Sequence, residues 1–327
     1  MRAKHFWKTL PKVDVRADHL KLFWTFVCER QTIWHRRFVL KQPPPWTKDP
    51  ILRDYKFTNV YRELDHGTIW YRKNVIPLSQ TPHLTKYNKK LDLLWLTTMY
   101  RLVNRVETFE EVGFIHVWEW GEPEEEKWFR KLEARQKRGE CIFTNAHLTL
   151  PSHELGSTKL DKYMEVLSDL NKKLLNLNDK VFEARDLETV FNSLQVVKCV
   201  GRFIAYEICC DLMLAKAIPF TENDWVNPGP GCKRGINLIW PKSHHVEEYQ
   251  NDIRWLQSHQ DECFERYHLT FHQYHHPLTL RGIEHSLCEF QKYFKMMHKV
   301  GKQRMYFKPR DWPNAQGQIP MRFPREK

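Results

Sequence analysis

No run in the 327-residue sequence approaches the ~18 uncharged apolar residues that a membrane span requires. The N-terminus, MRAKHFWKTLPKVDV, lacks an apolar signal core, so the reading is an intracellular protein with no membrane partner. Gly-x-x-x-x-Gly-Lys-Ser/Thr is missing too, which excludes P-loop phosphoryl transfer by this chain. Neither Cys-x-x-Cys nor His-Glu-x-x-His occurs, and no four-cysteine iron–sulfur spacing exists, so no metal site is assigned. The eight cysteines show no framework spacing, Cys209 and Cys210 being adjacent; they read as reduced and partly core-filling.

What is present is a large apolar fraction, unevenly placed charge and helical periodicity. The 41% apolar and 13% aromatic content suffices for a core in one large domain or two ordinary ones. The formal charge of +12 lies entirely in residues 1–90, because the remainder carries equal numbers of basic and acidic side chains. Trp7, Trp24, Trp34, Trp46, Tyr55, Phe57 and Tyr61 are interleaved with that basic excess. Basic side chains neutralise phosphates and aromatic faces stack on bases, so the pattern suits a nucleic-acid partner; a basic surface over an aromatic core is the plainer alternative.

Apolar spacing predicts helices over Leu20–Leu40, Asp54–Asp65, Leu91–Asn104, Pro123–Gly139, Leu160–Leu177, Leu187–Val197, Phe203–Lys216, Glu247–Glu265 and Gly282–Lys299. In the second of these, Phe57, Val60, Tyr61 and Leu64 form the stripe, and His66-Gly67 is read as its end. Gln42 to Trp46 reads as a rigid connector and the segment from Lys302 as a basic, Pro-rich tail. There is no internal repeat and no alternating strand set. The expected fold is mainly α, organised as a basic, aromatic-rich helical region (1–50), a catalytic helical domain (51–300) and the tail (301–327).

The central stretch runs from Gln195 to Gly235. A short apolar segment turns at Gly201 and enters a helix whose stripe is Ile204, Ile208 and Leu212, ended by Pro219. Beyond it lie Asp224 and a Gly- and Pro-rich stretch read as an irregular loop. Gly229, Gly231 and Gly235 would let its backbone amides approach a phosphate, although Pro-Gly-Pro-Gly is equally a plain turn. By itself Asp224 reads as an Asx cap. Glu207 and Asp211, four apart at the edge of an apolar helix face, read either as a paired-carboxylate site or as partners of Arg101 and Arg105. His268, His272, His275 and His276 read as a surface or core cluster rather than as ligands.

Val200-Gly201, the helix and the later carboxylate resemble the helix–hairpin–helix DNA glycosylases, with Val197–Gly201 standing where those proteins carry Leu-Pro-Gly-Val-Gly. The stretches RDYKFTNVYRELDHGT (53–68), WLTTMYRLVNRVETFE (95–110), GRFIAYEICCDL (201–212), NDWVNPGPGCKRG (223–235) and IEHSLCEFQKY (283–293) are more closely similar to the α-glutamyl/putrescinyl-thymine pyrophosphorylase family. The helical domain of that family is related to that of phage 5-hydroxymethyluracil DNA kinases. The resemblance implies a helix–hairpin–helix glycosylase-like fold and a transferase. On it, an amine or amino acid displaces pyrophosphate from an activated 5-hydroxymethyluracil in DNA.

The resemblance makes Asp224 the leading carboxylate, by stabilising the electron-poor 5-methylene or deprotonating the amine, with Asp211 and Glu289 behind it. Asn59, Arg62, Asp65, Arg101, Asn104, Arg105, Glu207, Gly229, Gly231, Arg234 and Lys292 are expected at the substrate; Arg62, Arg101, Lys233 and Arg234 supply cations for pyrophosphate. Lys198, Gly201, Arg202, Lys233, Arg53 and Lys56 are expected on DNA. No cofactor is assigned; a divalent cation on the pyrophosphate is the one candidate. The implied partners are DNA with modified thymine, a small amine or amino-acid donor and a 5-hydroxymethyluracil DNA kinase. A phage source would place the protein in the host cytoplasm, a eukaryotic one in the nucleus. The competing activities are excision of a modified thymine and non-catalytic reading of modified DNA.

Overall fold

The structure, a computed structural model, describes residues 15–80, 88–144, 149–150, 158–241, 246–301 and 306–307. Among these the regular structure is helical, with one isolated antiparallel bridge between Tyr55 and Tyr306. The expected mainly α fold is what the chain adopts. Two compact units emerge, one of residues 1–66 with 226–327 and the other of residues 67–225. Residues on either side of the expected boundary at position 50 therefore share a unit with the C-terminal third of the chain. Most of the expected tail lies outside the described residues, as do His5 and Trp7.

The discontinuous unit begins with α1 (Ala17–Trp34), continued by a π-helical turn over His35–Val39, and α2 (Pro50–Asp54). The chain then builds the second unit from α3 (His66–Leu78), α4 (Lys89–Val103), α5 (Val106–Val112), α6 (Glu124–Lys137), α7 (Lys159–Phe182), α8 (Leu187–Leu194) and α9 (Arg202–Leu214). It returns to complete the first unit with α10 (Pro230–Ile239), α11 (Val246–Ser258), α12 (Gln260–Arg266) and α13 (Leu280–Met297).

Local chemistry sets the helix ends. Asp49 caps α2 by accepting the Ile51 and Leu52 N–H groups, with Pro50 in the first turn, where its missing N–H is harmless. Thr158 and Asp161 close a capping box on α7, and Thr279 accepts the Gly282 N–H at 3.1 Å to start α13. Asn104 ends α4 in the left-handed region at φ 48°, as asparagine can.

Three expectations need correction. Residues 54–65 are not a helix: after α2 the chain is extended, makes a 3-10 turn over Arg62–Leu64, and α3 starts at His66, where an end was expected. The stripe Phe57, Val60, Tyr61, Leu64 is nevertheless buried, at 7%, 3%, 2% and 5% exposure. The backbone departs because side chains satisfy it: Arg30 donates to the Phe57 carbonyl, and Asn59 donates its N–H to Asp65 and its amide to the Leu64 carbonyl. Second, the expected helix over 247–265 is broken at His259 into α11 and α12.

Third, the Pro-Gly-Pro-Gly stretch is not a loop, because Gly229 is the N-cap and Pro230 the first residue of α10. Its glycines serve helix packing. A Cβ on Gly235 would lie 2.3 Å from the Leu287 carbonyl oxygen of α13, and one on Gly231 would lie 2.3 Å from Cys288 Sγ. Around this close approach Ile236, Ile239, Ile283, Leu287 and Phe290 are fully buried. Each is worth roughly 1.5–3 kcal/mol relative to exposure. Phe23 of α1 meets Phe290 edge to face at 5.4 Å, tying α1 to the same core.

In the second unit, α4 is the central element, with every residue from Leu91 to Val103 buried. α7 and α9 pack on it, and α8 bridges the two. The connection 195–201 between α8 and α9 turns with Cys199 at φ 58°.

Candidate functional site

The discontinuous unit gathers polar side chains from α1, the extended segment 55–61, the 3-10 turn and α13. Asn59 organises one side. Its backbone N–H and side-chain amide both donate to Asp65 Oδ1 at 3.1 Å, and its Oδ1 accepts from Arg30 at 2.9 Å. Arg62 pairs with the other oxygen of Asp65. Burial lowers the Arg30 guanidinium to about 10 against the opposing pull of Asp65 and Glu289, which leaves it charged at neutral pH.

Glu289 organises the other side at 3% exposure. One oxygen accepts the Thr58 backbone N–H at 3.3 Å and the other accepts from Lys292 Nζ at 2.6 Å. Thr58 Oγ1 lies 2.5 Å from His285 Nε2, one helical turn before Glu289 on α13. Glu284 accepts the Gly229 N–H at 3.2 Å, so that amide already faces a carboxylate. Burial pushes the Cys288 thiol up to about 11, with Lys292 and Arg234 pulling down and Glu284 and Glu289 pushing further up; the thiol is neutral at physiological pH.

Of the residues expected at a substrate, the fold thus brings Asn59, Arg62, Asp65, Gly229, Gly231, Arg234 and Lys292 together with Glu289, one of the carboxylates expected in the chemistry. Arg30, Thr58 and His285 join them unannounced. Thr58 and His285 stand inside the sequence stretches that carried the resemblance, whereas Arg30 lay in an ordinary helix with nothing to mark it. Such a cluster offers fixed cations, a dry carboxylate and a hydroxyl–imidazole pair, the parts required to hold an anionic leaving group and move a proton.

The remaining candidates sit elsewhere. In the second unit Arg101, 5% exposed, is clamped by both oxygens of Asp211 and lies 3.0 Å from Glu207. Burial would lower this guanidinium, but Asp211 and Glu207 outweigh it and hold it above its ordinary range. Asp211 and Glu207 are therefore arginine partners. Asn104 is the α4 C-cap, and Arg105 reaches Glu107 at 3.4 Å. Asp224 is exposed and accepts the Thr221 N–H at 2.6 Å and its hydroxyl at 3.0 Å, the geometry of a turn cap.

The residues expected on DNA are spread over both units. Lys198 is exposed and reaches Glu165 at 2.7 Å. Gly201 is the exposed N-cap of α9, and Arg202 stacks over Phe191 at 5.0 Å. In the discontinuous unit Lys233 lies 5.2 Å over Tyr249, Arg53 pairs with Asp54 and Lys56 is exposed. Among the described residues no group of three or more His, Cys, Asp or Glu side chains could hold a metal ion, and no helix is long and apolar enough to cross a membrane.

A 5-hmdU DNA kinase of Bacillus phage SP10 is 30% identical over 302 residues, an alignment covering 84% of this chain and 44% of that protein. The chain thus spans less than half the length of this relative. No solved structure matches. The family described as 5-hmdU DNA kinase, helical domain, matches residues 17–303, from the first turn of α1 to beyond α13. The match takes in every helix described above, and the chain belongs to that family.

Proposed function

We propose that this protein modifies a thymine-derived base in DNA, transferring an amine or amino acid onto pyrophosphorylated 5-hydroxymethyluracil with release of pyrophosphate. The observation that carries the reading is the buried Glu289 carboxylate. It joins the motifs at 53–68 and 283–293, from distant parts of a chain whose family is defined by a domain of 5-hmdU DNA kinases. In this reading Arg62, Arg234 and Lys292 face the pyrophosphate, where charge-assisted hydrogen bonds are strongest. Glu289 stabilises the 5-methylene as it loses electrons to the leaving group. Any divalent cation would arrive with the pyrophosphate oxygens. Asp224, as a surface cap, serves the turn and not the chemistry.

The test incubates the purified chain with DNA containing pyrophosphorylated 5-hydroxymethyluracil and a pool of amines and amino acids, followed by digestion to nucleosides and mass spectrometry. A heavier nucleoside with pyrophosphate release is expected. Free modified base with abasic DNA would replace this reading with glycosylase chemistry, and unchanged nucleosides with tight DNA binding would replace it with a reader of modified DNA.

A further inference from the structure

Thr58 and His285 have no role in the reading above, yet their geometry is that of an activated hydroxyl. Thr58 Oγ1 and His285 Nε2 are 2.5 Å apart, and both residues are only half-buried, so an incoming molecule can reach them. Thr58 is fixed from behind, because its backbone N–H is bound by Glu289. His285 and Glu289 are four residues apart on α13 and share a helix face. The other charged groups of this neighbourhood include Glu284 and Lys292 on α13, Arg30 from α1 acting on Glu289, Asp65 acting on Arg30, and Arg234 from α10 acting on Cys288. A hydroxyl carries one proton and two lone pairs, so it can donate to an imidazole nitrogen while accepting from a second donor.

We propose that Thr58 relays the proton of the incoming amine to His285, an inference that rests on the transfer reaction proposed above. As the amine nitrogen bonds to the 5-methylene carbon, the carbon–oxygen bond breaks and its electron pair leaves with pyrophosphate. The excess proton on nitrogen passes to Thr58 Oγ1, and the threonine's own proton passes to His285 Nε2. The imidazolium, with the Glu289 carboxylate one turn away, then releases its proton to solvent. The relay requires the neutral tautomer of His285 with its proton on Nδ1, because Nε2 must accept.

The test measures the substituted nucleoside formed by the full chain and by four variants. Thr58→Ala is expected to lose about 100-fold or more in rate, as removal of a proton-transfer group does, while Thr58→Ser stays within about threefold. His285→Ala should fall comparably and recover on addition of imidazole, a response that a folding defect would not give. Undiminished turnover by Thr58→Ala, or no imidazole rescue of His285→Ala, overturns the relay while the transfer reaction stands. Wild-type protein that releases free base, or leaves the nucleosides unchanged, overturns the transfer reaction and the relay together, and the wild-type product distinguishes the two failures.

Discussion

Gly235→Ala tests the packing on which the Glu289 cluster depends. The added Cβ would fall 2.3 Å from the Leu287 carbonyl oxygen and 2.8 Å from its carbonyl carbon. These are backbone atoms of α13 and cannot rotate away. Ordinary carbon–oxygen contact needs about 1 Å more, so α10 and α13 must separate across a core that includes Ile236, Ile239, Leu287 and Phe290. Overpacking costs about 1–3 kcal/mol, with backbone shifts at the upper end, and replacing a helical glycine with alanine returns about 1 kcal/mol of propensity. A net loss of about 2 kcal/mol is expected in urea denaturation followed by circular dichroism. Gly231→Ala supplies the internal comparison, since its Cβ meets the Cys288 Sγ, a side-chain atom. Its loss should be smaller and should be relieved in the Gly231→Ala/Cys288→Ala double variant, a coupling that a double-mutant cycle isolates. Gly235→Ala within about 0.5 kcal/mol of wild type would refute the close helix crossing.

Asp211→Ala should destabilise by about 3–5 kcal/mol in the same assay, because it strands a buried guanidinium with Glu207 alone. Asp224→Asn removes a charge from a surface cap; a stability change under about 1 kcal/mol, unchanged DNA affinity and unchanged turnover are expected, and lost turnover would restore Asp224 to the chemistry. Glu63 is held below its ordinary carboxylate value of 4.5: burial pushes it up, but the hydrogen bond from His276, a backbone hydrogen bond and the charges of His276 and Arg281 together outweigh this. A lowered folded pKa gives stability that is present above the unfolded value and lost as pH falls through the folded one. Thermal unfolding of Glu63→Gln should accordingly be less pH-dependent than wild type on the acid side of pH 4.5.

Much of the fold was legible because helical apolar spacing is a local property. The buried stripe of α9 follows from Ile204, Ile208 and Leu212, and the end of α4 was placed to within a residue by Asn104. The errors have a common origin. At 54–65 the spacing of Phe57, Val60, Tyr61 and Leu64 also suits an irregular segment when Arg30 and Asp65 supply the missing backbone partners. At Pro230 the residues that break a helix also begin one. Within the candidate site, Asn59, Arg62, Asp65 and Glu289 could be named from their motifs. The pairing of Thr58 with His285 joins residues 227 positions apart and had no local signal. For Asp224 and Asp211 the sequence left a chemical and a structural role open, an Asx cap and a partner of Arg101, and the fold supplies the Thr221 turn and the Arg101 clamp.

The division of the chain also bears on its birth at the ribosome. Residues 67–225 are contiguous and can collapse as soon as they emerge, whereas the other unit waits for residues 226–327. At 5–20 residues per second, translation from α1 to Phe264 and Phe290 takes roughly 12–53 s. For that interval Phe23 and Trp24 of α1 are without Phe290 and Phe264, the rings they meet in the finished protein. An apolar helix held open that long is a natural client for a chaperone, and truncation before α13 would leave it a permanent one.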